Sequence, residues 1–583
     1  MQGPATPRRN GCGRFLPLWL AATLLLGLAG CSRPQQPAQA KHISNSAAGA
    51  VAADQKFSKQ TAVAAVKWAP KSGRELYGQH CAACHGEQGN GQGLAARFLF
   101  PKPRDFTRGQ FRLVSTKNYV PSREDLRAVL VRGMPGSAMP SWAHLDGEEI
   151  ERLIDEVLRL YRDGIRAAIV AELKEAEEEI VEADVAAQVN ERTTPDETVA
   201  APKIAADDPA SVARGQDIYI KQSCHACHGK EGRGDGQQVM VDNDGVPTRP
   251  RDLTRGIFKG GHDPASIYRR IALGMPGTPM PSSSNLSTEQ MGDLANFIRS
   301  LSSEDQRNAA VLKRERLVAR LVTEVSDRIE SEIWSQARAA AVKTTPLWWR
   351  DNSECDLRVQ AIHDGKRIAL RLSWKDETPD RHSARIEAFK DVAAIELYRG
   401  PAEPFIGMGA AAQAVDLWVW DADRENALAA TEEQYPNSVV DIYPLTEAAV
   451  ETAEFSRPSA RLEEQDAMAL PAKSLSNQVT PAARDSAGSS LTAAGPGSVT
   501  FRLPENQAVT ARGEWRDGRW NIVLSRELQT SDPGSIALLP GDKVSVAFAI
   551  WDGSHRDRNG QKLVSIWQDL ELEGEIVSDS PQP

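Results

Sequence analysis

Two five-residue stretches, Cys81-Ala-Ala-Cys84-His85 and Cys224-His-Ala-Cys227-His228, each set two thiols three positions apart with an imidazole directly after the second. Thiols at that spacing reach the two vinyl groups of one haem, and the adjoining histidine supplies an axial nitrogen to its iron. The pattern predicts two covalent haems c, one on Cys81 and Cys84 with His85, the other on Cys224 and Cys227 with His228. A zinc site would want further cysteines or histidines converging at ligand spacing. A thioredoxin-like dithiol would sit in a βαβ setting. Neither pattern accompanies these motifs.

Each motif opens a longer repeat. Gly78-Gln-His-Cys-Ala-Ala-Cys-His-Gly86, Pro103-Arg-Asp-Phe-Thr-Arg-Gly109 and Gly133-Met-Pro-Gly-Ser-Ala-Met-Pro140 recur as Ser223-Cys-His-Ala-Cys-His-Gly229, Pro250-Arg-Asp-Leu-Thr-Arg-Gly256 and Gly274-Met-Pro-Gly-Thr-Pro-Met-Pro281. Three blocks in the same order mean a duplicated domain of roughly a hundred residues. Helices should precede each motif, where Leu76/Tyr77 and Tyr219/Ile220 hold matching positions. Others are expected at Asp125–Leu130 and Ser266–Ala272, with closing helices carrying Ile150, Leu153, Ile154, Val157, Leu158 and Tyr161, and Met291, Leu294, Ile298 and Leu301. The repeats resemble small class-I-type cytochromes c, in which a Met-Pro step ending a Gly/Pro-rich loop supplies the sixth iron ligand. The resemblance assigns Met139 and Met280 to the two irons and leaves Met134 and Met275 to pack on haem edges. Thioether ligation raises the reduction potential over a second nitrogen. His80, His144, His225 and His262 are rival ligands, the first and third lying too close to the covalent anchor to reach the opposite face. Arg104-Asp105 and Arg251-Asp252, with Arg108 and Arg255, suit haem propionates or surface ion pairs equally well.

The chain has 583 residues and a formal net charge of -10. That length implies several domains, and that charge argues against a nucleic-acid partner. Arg8, Arg9 and Arg14 followed by the apolar run Phe15–Gly30 read as an export signal. Leu28-Ala-Gly-Cys31 resembles a bacterial lipobox, which implies lipid attachment at Cys31 and a periplasmic, membrane-anchored protein; Ser32 slightly favours the outer membrane. Residues 1–30 are thus a lipoprotein signal, 31–68 a flexible tether, 69–165 the first cytochrome c domain, 166–208 an acidic helix with a solvated face and a linker. The second cytochrome c domain follows at 209–303. A helical linker is expected over 304–344, with Val318, Leu321, Val322, Val325, Ile329 and Ile333 on one side. From 345 to 583 the period changes to two: Ile368, Leu370, Leu372 and Trp374, then Val544, Val546, Phe548 and Ile550, alternate with polar or small residues. Trp515-Arg-Asp-Gly-Arg-Trp520 reads as a hairpin turn. The expected architecture is two all-α domains followed by an all-β antiparallel sandwich, interrupted by a disordered insertion at about 445–497. Cys355, alone there, is expected to be a buried small hydrophobe.

The segment from Trp348 to Trp567 resembles the haem b-binding subunits of ethylbenzene dehydrogenase and related molybdenum enzymes such as dimethylsulfide dehydrogenase. The resemblance rests on Ile368-Ala-Leu-Arg-Leu-Ser-Trp374 with Asp376, Asp391-Val-Ala-Ala394, Phe405-Ile-Gly-Met-Gly409 and Leu417-Trp-Val-Trp420. It continues through Gly513–Trp520, Ala549-Ile-Trp-Asp-Gly553 and Arg556–Trp567. It implies one non-covalent haem b held between Met408 and Lys562. It also implies an electron-transfer subunit, itself no enzyme, docking on molybdopterin and iron-sulfur subunits and exchanging electrons with a periplasmic carrier. Two alternatives remain open from the residues: a haem c enzyme acting on peroxide or a sulfur compound, or a dihaem cytochrome whose β domain only binds a ligand or partner.

Overall fold

The computed structural model describes residues 71–574 except 205–207, 351–354, 382–387, 401–402, 405–407, 411–412, 427–485 and 533. The expected signal, Cys31, the tether and most of the expected insertion lie outside the described residues.

The first repeat is built on α1 (Gly73–His80), α2 (Ala82–His85), α3 (Arg123–Arg132) and α4 (Gly147–Glu175). Ser72, Ser122 and Asp146 start α1, α3 and α4, each exchanging hydrogen bonds with an acid three residues on. These reciprocal bonds satisfy amide groups that a helix start leaves open. Helix α4 has 29 residues and runs through the boundary expected at 165. The acidic segment is therefore a helical hairpin and not one helix fading into a linker. Its second arm, α5 (Glu182–Thr193), folds back so that Val185 and Val189 pack on Ile169. The glutamates at 172, 175 and 177–179 stay exposed, as a solvated face should.

The second repeat uses α6 (Pro209–Lys221), α7 (His225–His228), α8 (Pro264–Leu273) and α9 (Thr288–Ser300), and α10 (Glu304–Ala309) follows. Leu76, Tyr77 and Tyr219 are buried ahead of the motifs, whereas Ile220 is 46% exposed.

Beyond α10 the expected helical linker is overturned. Residues Arg316–Leu321 form strand β1, in which Leu317 and Ala319 are buried while Arg316, Val318 and Arg320 face outward. Strand pairing on both sides outweighs the weaker helical stripe: β1 lies between β14 (Gln568–Leu572) and β4 (Leu357–His363), parallel to both. The sheet is accordingly mixed, not all antiparallel. Its remaining strands are β2 (Ala340–Val342), β3 (Thr344–Pro346), β5 (Arg367–Lys375), β6 (Val392–Tyr398), β7 (Val415–Asp421), β8 (Gly488–Ala493), β9 (Thr500–Phe501), β10 (Thr510–Arg516), β11 (Arg519–Glu527), β12 (Lys543–Trp551) and β13 (Leu563–Ser565). Strand β8 falls inside the stretch expected to be an insertion.

The strand order is β10-β11-β5-β4-β1-β14-β12-β6-β7-β8-β9, with β13 pairing β12 and β3. The sheet folds over so that its halves share one core. Trp374 from β5, Trp420 from β7 and Trp520 from β11 meet there, the last two with ring centroids 4.7 Å apart. Asp517 and Gly518 turn the expected hairpin at φ 51° and 72°, the left-handed conformation that a two-residue turn requires. Cys355 is buried, and burial pushes its thiol up to about 12.

Gly513, on β10, lies against the indole of Trp420, and a Cβ there would stand 2.4 Å from the ring. Gly513→Ala should therefore cost about 1–3 kcal/mol by overpacking. The check is a lower urea midpoint for unfolding of the β region, followed by tryptophan fluorescence.

Candidate haem sites

In the first repeat the His85 ring is oriented from two sides. Its Nδ1 lies 2.9 Å from the Arg104 carbonyl, and the ring stacks on Phe106 at 4.5 Å. A carbonyl on Nδ1 leaves Nε2 as the basic nitrogen for a metal. Burial pushes both His85 and His228 down to about 4, so each presents neutral imidazole, the form that ligates iron. The second repeat carries Leu253 in the place of Phe106, and His228 Nδ1 is buried with no hydrogen-bond partner among the described residues. The motif cysteines form no disulfide, which leaves their sulfurs for thioether bonds. Burial raises Cys81 and Cys84 to about 12, so both sulfurs sit in apolar surroundings that suit a neutral thioether. Tyr77 and Tyr219 each brace the motif, donating a hydroxyl proton to the carbonyls of Gly86 and Gly229 at 2.8 and 2.6 Å.

The methionine loops are copies at the level of single hydrogen bonds. Met134 N–H donates to the Met139 carbonyl at 3.1 Å, and Met275 N–H to the Met280 carbonyl at 3.1 Å. Inside each loop Ser137 or Thr278 donates its hydroxyl to the first methionine's carbonyl, at 2.7 and 2.8 Å. Gly133 and Gly274 enter the loops at φ 73° and 65°, and a Cβ at either would collide with backbone of the methionine-proline step. Met139 packs in one apolar cluster with Cys81, Phe106, Leu76 and Tyr77. Met139 thus shares the cluster that holds Cys81, a predicted anchor of the first haem c. His80 is buried against Trp142, with ring centroids 4.9 Å apart.

The repeated Arg-Asp pairs separate. Asp105 and Asp252 each accept from the threonine two residues on, at 2.9 Å from N–H and 2.6 Å from hydroxyl. Arg108 makes a surface pair with Asp244 at 2.6 Å. Arg104 is half-buried, with burial and Arg112 pulling it down to about 10, which suits a carboxylate partner. Arg251 is buried; it stacks on Trp349 at 3.7 Å and donates through Nε to the Gly136 carbonyl of the first methionine loop at 2.9 Å.

In the β region, strands β6, β7 and β12 are apolar on both faces. One face enters the tryptophan core. The other carries Tyr398, Val415, Leu417, Leu491, Ala493, Ala547 and Trp567 as a second cluster, and Met408 packs on it. Lys562 is 6% exposed, its Nζ 4.5 Å from the centre of the Trp551 ring. Met408 and Lys562 meet through a residue that the sequence motifs did not single out, Glu396. It stands opposite Ala547 in the β6–β12 ladder. Its carboxylate lies beside the backbone amides of Met408 and Gly409 and the Lys562 amine, all of which favour its charged form. Burial holds the amine well below the usual lysine range and the carboxylate well above its own. Met408 turns at φ 85°, a strained conformation for a side-chain-bearing residue. Glu396 Oε1 is buried with no hydrogen-bond partner among the described residues. A buried amine held toward neutrality, a thioether and an apolar platform with small Ala394, Ala547 and Ala549 side chains fit a flat iron macrocycle. The one signal for Glu396 in the sequence is an acid in the middle of the apolar strand Val392–Tyr398.

Comparison with known proteins agrees with this division. The ethylbenzene dehydrogenase family profile matches residues 331–563, cytochrome c matches 212–302, and cytochrome c oxidase cbb3-type subunit III matches 69–155. A haem subunit assigned to respiratory nitrate reductase in Haloferax mediterranei is 31% identical over 243 residues, 41% of this chain and 65% of its own. The gamma subunit of dimethylsulfide dehydrogenase from Rhodovulum sulfidophilum is 28% identical over 228 residues, 38% of this chain and 62% of its own. The chain thus spans under two thirds of the length of either relative. A chain from the reducing HAO-like protein complex of Kuenenia stuttgartiensis is 32% identical, matched over 41% of this chain and 100% of its own, with a TM-score of 0.33. The protein therefore joins cytochrome c-family regions to an ethylbenzene dehydrogenase-family region in one chain.

Proposed function

We propose that this protein is an electron-transfer subunit carrying two haems c and one haem b, passing electrons between a molybdopterin oxidoreductase and a periplasmic carrier. Bound haem supplies one-electron chemistry at its iron, and the chain supplies ligands, spacing and exclusion of water. His85 with Met139 and His228 with Met280 serve the haems c; Met408 and Lys562 serve haem b. The relatives named as haem and gamma subunits support this role.

The observation that carries the proposal is where the first methionine loop sits. Lys562 offers its carbonyl to Leu347 N–H at 3.0 Å, and Leu347 offers its own to Phe100 N–H at 3.0 Å. Thr345, two residues before Leu347, donates to the Ser137 carbonyl at 3.2 Å, between Met134 and Met139. The neighbouring Gly136 carbonyl takes Arg251 of the second repeat. The first repeat therefore touches both the lysine-bearing strand connection and the second repeat. The second repeat also reaches the β region, where Arg251 stacks on Trp349, so all three regions touch, and on this proposal electrons pass among their haems in either direction. On the same proposal the chain is exported and anchored by lipid at Cys31.

Two measurements test the assignment. Pyridine haemochromogen analysis should give c and b haems at a ratio of two to one, and Lys562→Ala or Met408→Ala should remove the b-type absorbance and leave the c-type bands; b-type absorbance persisting in both variants contradicts this haem b site. Met139→Ala and Met280→Ala should each lower the potential of one haem c in a redox titration and abolish its sulfur-to-iron band, with both haems still covalently attached. An unchanged oxidised spectrum in both would contradict methionine ligation.

A further inference from the structure

Three carboxylates outside the haem sites converge where strands from the two halves of the sheet end. Asp376 directly follows β5, Asp391 directly precedes β6 and Asp552 directly follows β12. One oxygen from each lies within 4.8 Å of the others. Asp376 and Asp391 are 4% and 0% exposed, and Asp552 is half-buried. Like charges buried together need a compensating cation or must give up charge.

The surroundings supply little positive charge. Arg350 faces Asp552 but is paired with Asp557. Arg381 lies over the Trp520 ring. His555 Nδ1 meets Asp552 Oδ2 at 2.6 Å, on the half-buried side. Neutral donors orient the rest. Asp391 takes the N–H of Gly553 and of Asp380, both at 2.8 Å, and the Trp520 indole at 2.9 Å. Asp376 takes one backbone N–H, from Thr378, through Oδ1 at 3.2 Å. Its Oδ2 is buried with no hydrogen-bond partner among the described residues. Burial and the neighbouring acids push Asp376 up to about 8, and burial pushes Asp391 up to about 7.

An unpartnered, buried carboxylate oxygen beside two more carboxylates is the arrangement of a site for a hard cation. Calcium takes carboxylate oxygens at about 2.3–2.6 Å, so ligands on opposite sides of one ion lie up to about 5 Å apart. The observed spacing falls inside that limit. We propose that Asp376, Asp391 and Asp552 bind one divalent cation of the calcium class, which ties the two halves of the sheet together at this end. Asp552 also starts the connection that ends at Lys562, so the ion would steady that connection as well.

The test uses the full-length, haem-loaded protein. Purified without chelator, it should carry about one calcium per chain by elemental analysis. EGTA should lower the unfolding temperature of the β region and excess calcium chloride should restore it. In EGTA, Asp376→Asn should be at least as stable as the parent, because a neutral amide carries none of the cost of burying an ionisable carboxyl, while its calcium affinity falls on the order of tenfold or more. Asp552→Asn, on the more exposed side, should show the same loss of response with the haem spectra unchanged. Equal unfolding temperatures in EGTA and in calcium for the unsubstituted protein would overturn the proposal. So would an undiminished calcium response in both asparagine variants.

Discussion

Alternation along β6 and β12 is the constraint on which the β region depends. Odd and even positions of one short strand serve two different environments. Ile395 and Leu397 enter the core that holds Trp374, Trp420 and Trp520, while Ala394, Glu396 and Tyr398 face the other way. A slip of one residue would bring Glu396 into the tryptophan core and Ile395 onto the outer platform, so the pairing register is strongly specified. The outer face is the unusual one. It is apolar yet carries a buried acid and, beside it, a buried lysine. Charges so placed are expensive unless a partner or a metal uses them. On the proposed function the expense has a chemical use, because desolvation that disfavours the ammonium favours the amine that can bind iron.

The same logic is written twice in the α-helical repeats. Two loops, 141 positions apart by the numbering of Met139 and Met280, close with the same backbone bond between first and second methionine. Each is entered through a glycine whose positive φ admits the turn. Duplication preserved the clamp while the surroundings drifted: Phe106 stacks on His85 in one copy, and Leu253 takes that place in the other. The drift gives the two sites different polarisability and different hydrogen bonding at the histidine, a physical source of different potentials in otherwise equivalent sites.

Much of this was legible from residue order. The two motifs, the three-block repeat, the closing helices and the Asp-Gly hairpin all depend on local chemistry, which short windows report well. What the windows misread depended on distant partners. Arg316–Leu321 carries apolar residues at positions compatible with helix or strand, and only pairing with β4 and β14, the latter some 250 positions away, decides the matter. The break at Glu175 depends on Val185 and Val189 folding back onto Ile169. Glu396 was hidden for the same reason: an acid in an apolar strand has no meaning until the strand's second face is known to be covered. Resemblance supplied Met408 and Lys562, and the structure adds the carboxylate that lies beside both.

The three regions form a continuous set of contacts from the Lys562 connection through the first methionine loop to Arg251. One chain should therefore conduct internally, without a second molecule. The most direct test is to reduce the haem-loaded protein partially in a stopped-flow or flash experiment and follow re-equilibration between b-type and c-type absorbance. The account predicts a first-order exchange whose rate does not change with protein concentration. A rate that rises in proportion to concentration would mean that electrons pass only between molecules, and would contradict it.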